Sequence, residues 1–126
     1  MEIIPELVVK DMQSSIKFYK ELFAFNIDYQ DPIDNPIWCQ LSNGTATMML
    51  QDISSILKEL EGNFPKEIVS TSFLMIRIDK NDYEKIEKYI LENNIKIFKE
   101  KTLMGYGSIE MGIYDPDGYR IVISGN

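Results

Sequence analysis

Glu6 sits in a run of apolar and β-branched residues, 2–9 (EIIPELVV), where a carboxylate is unexpected. If its side chain faces a cavity, it is placed to hold a cationic group, or to act as a base once burial raises its pKa. The plainer alternatives are a solvated rim or an ion pair with Arg77. Arg77 alternates with apolar residues in 70–78 (STSFLMIRI) and could clamp an anion, or pair with Glu6 or Glu110. Trp38, the single tryptophan, offers a surface for stacking a planar molecule, or simply fills the core. Met48, Met49, Phe73 and Met75 supply adaptable apolar lining if they face a pocket, and ordinary core if they do not. Glu110 stands in the middle of an apolar strand, with its face unresolved. Met104 and Tyr106 flank Gly105 in a segment that is either a lid or a surface loop.

The chain has no histidine and one cysteine. A Ser-His-Asp triad, a Cys-His dyad and a histidine-ligated metal are therefore excluded within it, as are zinc and iron–sulfur sites built on several cysteines. Cys39 has no histidine to activate it and reads as a small buried hydrophobe rather than a nucleophile. A lone cysteine forms no internal disulfide, which suits a reducing cytoplasm. With 20 acidic against 13 basic residues the formal charge is −7, a poor match to nucleic acid phosphates. No apolar run approaches the roughly 18–20 residues of a membrane span. The N-terminal residues lack a basic signal-peptide region, so a cytoplasmic location is expected.

Length (126 residues) and a hydrophobic fraction of 44% suit one domain with a real core. Residues 2–9 read as a strand, with Pro5 marking an edge or a bulge. Asp11 is an N-cap for a helix whose stripe is Met12, Ile16, Tyr19 and Phe23. Strands follow at 25–30, 36–42 and 45–52, the last two joined through Asn43-Gly44, a type I′ hairpin signal. Residues 53–60 place Ile53, Ile56, Leu57 and Leu60 on one helical face. Gly62, Asn63 and Pro65 mark a linker over about 61–69. The pattern then recurs. A strand spans 70–78. Asn81 and Glu84 make a capping box for a helix carrying Tyr83, Ile86, Tyr89 and Ile90, and Asn93-Asn94 ends it. Strands follow at 95–100, 108–114 and 119–124, around an Asp-Pro-Asp-Gly turn. The reading is a single α+β domain over 1–126. It holds two β-α-β-β-β modules, about 1–60 and 70–126, that form cupped mixed sheets with helices on the outer faces.

The stretch Leu7-Val8-Val9-Lys10-Asp11-Met12, with Phe18-Tyr19 and Leu22-Phe23-Ala24-Phe25 after it, resembles the opening of the vicinal oxygen chelate superfamily. That group includes glyoxalase I, bleomycin and fosfomycin resistance proteins and extradiol dioxygenases. The hairpin Tyr114-Asp115-Pro116-Asp117-Gly118-Tyr119 is similar to its second hallmark. Ala24 stands where the superfamily usually has Gly. Superfamily enzymes hold a divalent metal with His, Gln or Glu from four strands. By register those positions fall on Ile4, Met49 (within one residue), Phe73 and Val122, none of which suits a hard or borderline metal. The resemblance thus points to the metal-free, bleomycin-resistance-like branch, with no cofactor.

The resemblance also implies a cup. If Ile4 faces it, so do Glu6 and Val8, while Ile3, Leu7 and Val9 pack on helices. Phe73, Met75 and Arg77 share one face, and Thr47, Met49 and Gln51 another strand's inner face. The expected ligand-binding set is Glu6, Trp38, Met49, Phe73, Met75, Arg77 and Glu110. Binding or sequestration of a small cationic or aromatic molecule is expected. The alternative is a lyase, isomerase or dioxygenase of the glyoxalase type with a degenerate or relocated metal site. A homodimer is expected, because each module exposes a sheet edge and the superfamily completes its cups by pairing modules.

Overall fold

Side chains of a strand point alternately to its two faces, so a helix can cover only one of them and the other is left to different chemistry. The computed structural model describes residues Met1–Asn126 and shows this arrangement twice. The order is β1 (Glu6–Val9), α1 (Met12–Phe23), β2 (Asn26–Asp31), β3 (Trp38–Asn43), β4 (Ala46–Asp52), α2 (Ile53–Glu59), β5 (Phe73–Ile78), α3 (Lys80–Glu92), β6 (Ile97–Leu103), β7 (Ile109–Tyr114) and β8 (Arg120–Gly125). Two mixed four-stranded sheets result, ordered β1-β4-β3-β2 and β5-β8-β7-β6. The chain divides into two units, Met1–Ile68 and Val69–Asn126, with one β-α-β-β-β module in each.

In the first unit Asp11 caps α1, accepting from the Ser14 N–H at 3.2 Å. The helix buries Met12, Ile16, Tyr19, Leu22 and Phe23. The sheet answers with Leu7, Val9, Cys39, Leu41, Met48 and Leu50, all buried. Cys39 Sγ lies 3.9 Å from Met12 Sδ, which fixes this as the α1 side of the sheet. Each fully buried aliphatic side chain of this kind stabilises by about 1.5–3 kcal/mol. Tyr19 packs edge-on against Phe18 and Phe25, with ring centroids 5.1 and 6.2 Å away. Burial pushes the Cys39 thiol up to about 11, so it stays protonated.

In the second unit Asp79 caps α3, accepting from the Asp82 N–H at 2.9 Å. The helix lays Tyr83 and Ile90 on a sheet face built from Met111, Ile113, Ile121 and Ile123, all buried. Gly125 makes room for this: a Cβ there would meet Tyr83 Cβ at 2.8 Å.

Three readings of the sequence need correction. The first strand begins at Glu6 rather than residue 2, and Ile3, expected against a helix, is 89% exposed. Pro5 carries no N–H, which removes a ladder donor just where pairing would have to extend. Asn81 is inside α3, not its cap. Asp79, two residues earlier, has the extended backbone and free carboxylate that capping needs.

Two residues generate predictions. Ala24 ends α1 in the left-handed region at φ 53°. An L side chain pays there for a conformation Gly adopts freely. Ala24→Gly should raise stability by about 0.5–1 kcal/mol in chemical denaturation, the left-handed strain of about 1–2 kcal/mol less the extra chain entropy of Gly. An unchanged or lower midpoint would refute the strain. The second residue is Tyr83, whose hydroxyl is buried without a hydrogen-bond partner in the protein. Burial, aided by the Glu87 carboxylate, pushes it up to about 12. A raised folded value gives stability that is full below the unfolded pKa and is lost as pH rises through the folded one. Tyr83→Phe should therefore be neutral or stabilising by up to about 1 kcal/mol at neutral pH, and should lessen the loss of stability between about pH 10 and 12. Urea melts across that range read both effects.

Candidate functional site

The face of the first sheet turned away from α1 carries Glu6, Met49, Gln40, Trp38 and Gln51. Glu6 pairs with Met49 across the parallel β1–β4 ladder. Met49 pairs with Gln40, and Gln51 with Trp38, across β3–β4. Since Cys39 and Leu50 point to α1, these partners point the other way. That places Trp38, whose face sequence alone left open, beside Gln51 and on the same face as Glu6. Trp38 and Met49 are half-buried and Glu6 is exposed, with no ion pair. At one end of the face the buried Gln51 amide donates to Ser55 Oγ (3.1 Å) and Glu59 Oε2 (2.9 Å), which ties α2 down. At the other end Asp28 accepts from Gln40 Nε2 (3.3 Å) and Ser42 Oγ (2.8 Å).

The face of the second sheet turned away from α3 is organised in three transverse rows. Arg77, Ser124, Glu110 and Thr102 are register partners across β5, β8, β7 and β6. Met75, Val122, Gly112 and Lys99 form the next row, and Phe73, Arg120 and Tyr114 the third. Glu110 is only 4% exposed. Its carboxylate accepts from Lys99 Nζ at 2.7 Å and from the Tyr106 hydroxyl. Lys99 and Tyr106 hold its carboxyl below the usual carboxylate range, and the nearby Arg77 charge adds to this. The Tyr106 hydroxyl is pushed up in turn by the Glu110 carboxylate.

The other end of this face is aromatic. Gly112 has no Cβ, and a Cβ there would fall 2.5 Å from the Phe98 ring. Phe98 fills that space, stacked on Phe73 at 5.9 Å and tilted against Tyr114 at 5.3 Å. Lys96 Nζ and the Arg120 guanidinium lie 5.0 and 5.6 Å from the Tyr114 ring centroid. Phe73 and Met75 remain 59% and 49% exposed, unusual for large apolar side chains on a sheet face.

The expected residues thus fall into two groups, Glu6, Trp38 and Met49 on the first sheet and Phe73, Met75, Arg77 and Glu110 on the second. The anticipated Arg77 ion pair is absent, and Lys99 takes its place at Glu110. Sequence reasoning passed over Lys99 and Phe98. β6 has register shifts on both sides of Lys99. Simple alternation would have put Lys99 with Ile97 on the helix side. Tyr106 was noted as a loop residue, without the carboxylate it meets.

A family model for the Glyoxalase/Bleomycin resistance protein/Dioxygenase superfamily matches residues 4–123. The chain belongs to this superfamily. Among similar solved structures is a hypothetical protein from S. aureus, with TM-score 0.78 and 19% identity over 100% of this chain and 94% of that one. A lactoylglutathione lyase from Agrobacterium tumefaciens has TM-score 0.75 and 16% identity over 99% and 93%. A fosfomycin resistance protein from Mesorhizobium loti has TM-score 0.72 and 10% identity over 100% and 92%. At these identities the likeness is one of fold. No curated protein is close enough to count as a match.

Superfamily enzymes use a divalent metal, and the donor set tests whether one fits here. Of the four positions that the resemblance assigns to its ligands, Met49 (within one residue), Phe73 and Val122 lie on the sheet faces turned away from α1 and α3, and Ile4 precedes β1. None offers an oxygen or nitrogen donor, and no group of three or more Cys, Asp or Glu side chains is gathered elsewhere. The residues do not fit that metal, and no step is derived through it.

Glu110 yields a pH prediction. Its folded carboxyl titrates below the unfolded value of about 4.3. The stability this gives is present above that value and lost as pH falls through the lowered one. Glu110→Gln should flatten the acid limb of a stability–pH profile below about pH 4.5, measured by urea melts. Equal acid slopes for variant and parent would show that the carboxylate gains nothing from Lys99 and Tyr106.

Proposed function

We propose that this superfamily member binds or sequesters a small aromatic molecule on the sheet faces turned away from α1 and α3, without a metal. The observation that carries the reading is that Met49, Phe73 and Val122, where the resemblance puts metal ligands, carry no oxygen or nitrogen donor, together with exposed Phe73 and Met75 on one sheet and half-buried Trp38 on the other. Such surfaces gain free energy by covering apolar area and by stacking, which asks for no catalytic group. Homodimer formation is part of the same reading. The outer strands β1 and β2, and β5 and β6, have unpaired edges that a second copy can use. Cys39, buried and protonated, is a packing residue in this reading and has no role in binding.

The experiment is a thermal-shift screen of aromatic metabolites and antibiotics, run with and without added zinc, nickel or iron, followed by calorimetry on hits. Binding should be indifferent to metal and to chelator. Trp38→Phe, which keeps the apolar volume and shrinks the stacking surface, or Phe73→Leu should weaken a hit by about 0.5–1.5 kcal/mol, the range for an aromatic pair. One equivalent of divalent metal per chain, with turnover that depends on it, would replace this reading by the enzymatic one. The metal site would then have moved away from the superfamily positions.

A further inference from the structure

The charge on the second sheet's helix-free face runs against the charge of the whole chain. The sequence totals −7, yet register and ring contacts bring Arg77, Arg120, Lys96 and Lys99 to this face, with the buried carboxylate of Glu110 among them. Glu100, exposed in the irregular stretch of β6 between Lys99 and Thr102, is the acidic residue of that strand, so with Glu110 counted the four cations outnumber the acids here by two. Only Lys99 among the four cations is ion-paired. Arg120 donates to the Ser70 carbonyl at 2.8 Å and lies over Tyr114, and Lys96 lies over the same ring. Neither has an acidic partner. Arg77 is exposed and has no acid within ion-pair distance.

From this placement we infer that the ligand of the second sheet is a planar aromatic anion, a carboxylate, sulfonate or phosphate ester, with its ring on Phe73 and Phe98 and its charge toward Arg77. The inference rests on the metal-free binding reading and adds the charge of the ligand to it. The row structure gives the reach. Phe73, Met75 and Arg77 alternate along one strand, so Arg77 stands about 13 Å from Phe73 at roughly 3.3 Å per residue, while Arg120 and Lys96 lie at the aromatic end, engaged with Tyr114. Met75 and Val122 form an apolar floor between Phe73 and Arg77. The Lys99 ammonium offsets the charge of Glu110, which leaves Arg77 as the uncompensated charge of this row. A guanidinium presents a planar fork of donors, which suits carboxylate and phosphate oxygens better than a point charge does. The sequence expectation of a cationic ligand drew on the net charge of −7 and on Glu6, which belongs to the first sheet.

The test compares two aromatic dyes of opposite charge, anilinonaphthalene sulfonate with its flat naphthalene ring and acridine orange, at physiological ionic strength. A cooperative thermal melt checks the fold of each variant. The sulfonate should bind the folded protein as one equivalent per chain. Arg77→Gln should raise its Kd about tenfold or more, in line with a lost charge-assisted hydrogen bond. Arg77→Lys should restore part of the affinity, and Lys85→Gln, on the exposed side of α3, should leave it unchanged. Tighter binding of acridine orange, weakened by Glu6→Gln or Trp38→Phe, would overturn the anion inference and leave metal-free binding standing. Sulfonate binding that ignores both Arg77→Gln and Phe73→Leu would also overturn it. Failure of both dyes to bind the folded protein would count against the anion and the binding reading together.

Discussion

In each unit the helix must carry the chain from one edge of a four-stranded sheet to the other. β1 and β2 are opposite edges of the first sheet, and β5 and β6 of the second. Three inter-strand spacings of about 4.8 Å make a gap of roughly 14 Å. α1 has 12 residues and α3 has 13, which at 1.5 Å per residue is about 18–20 Å, enough for the crossing. The meander that follows then has to return toward the start, and it lays β4 parallel to β1 and β8 parallel to β5. Because the helix crosses one face, the other face of each sheet is left without it. The residues of the proposed ligand sites sit on those second faces.

That constraint also explains what could be read in the sequence. The strands and helices were legible because the apolar residues alternate or recur at helical spacing strongly enough to survive without context. Leu7 and Val9 follow on the helix-packed face once the resemblance puts Ile4 in the cup, and both are buried. Trp38 and Glu110 were different. A strand that is apolar on both sides, such as residues 36–42 or 108–114, does not say which set meets the helix. The answer came from partners on other strands, Leu50 opposite Cys39 and Ile123 opposite Met111. The Lys99–Glu110 pair lay further from reach, because irregular pairing in β6 broke the period on which the reading relied. Asp79 was passed over for Asn81 because the box pattern weighed more than the first free carboxylate after the strand.

The polar groups on the two faces are held differently, and this separates structure from function. Asp28, Gln51 and Glu110 are each tied by two hydrogen bonds or ion pairs, and they fix α2, β2 and the 104–108 loop to their sheets. Groups so satisfied do not readily exchange partners for a ligand, since the groups left behind would be desolvated without compensation. Glu6 and Arg77 make no such bonds and face water. A ligand can therefore engage them at the cost of displacing solvent alone. The chemistry open to an incoming molecule is that of the unpaired charges and the exposed rings, while the buried carboxylate serves as scaffold.

Two glycines show how closely the two faces of one sheet are matched to different tasks. Gly125 lies on the helix side, where Tyr83 Cβ occupies the space a side chain would need, and it lets α3 settle onto β8. Gly112 lies on the open side, where Phe98 occupies that space. Phe98 is thereby drawn across β7 to bridge Phe73 and Tyr114, residues of strands that are not neighbours. Without the gap at Gly112 those two rings would be separated by the width of β8. The continuous aromatic surface is thus made by the absence of one side chain in the middle of the sheet. The same absence brings Lys99 Cβ to within 2.9 Å of where the Gly112 Cβ would be, which lets Lys99 reach the Glu110 carboxylate on the adjacent strand. Aromatic end and ionic end therefore depend on one position, and a face of this sheet that could have been plain core carries both.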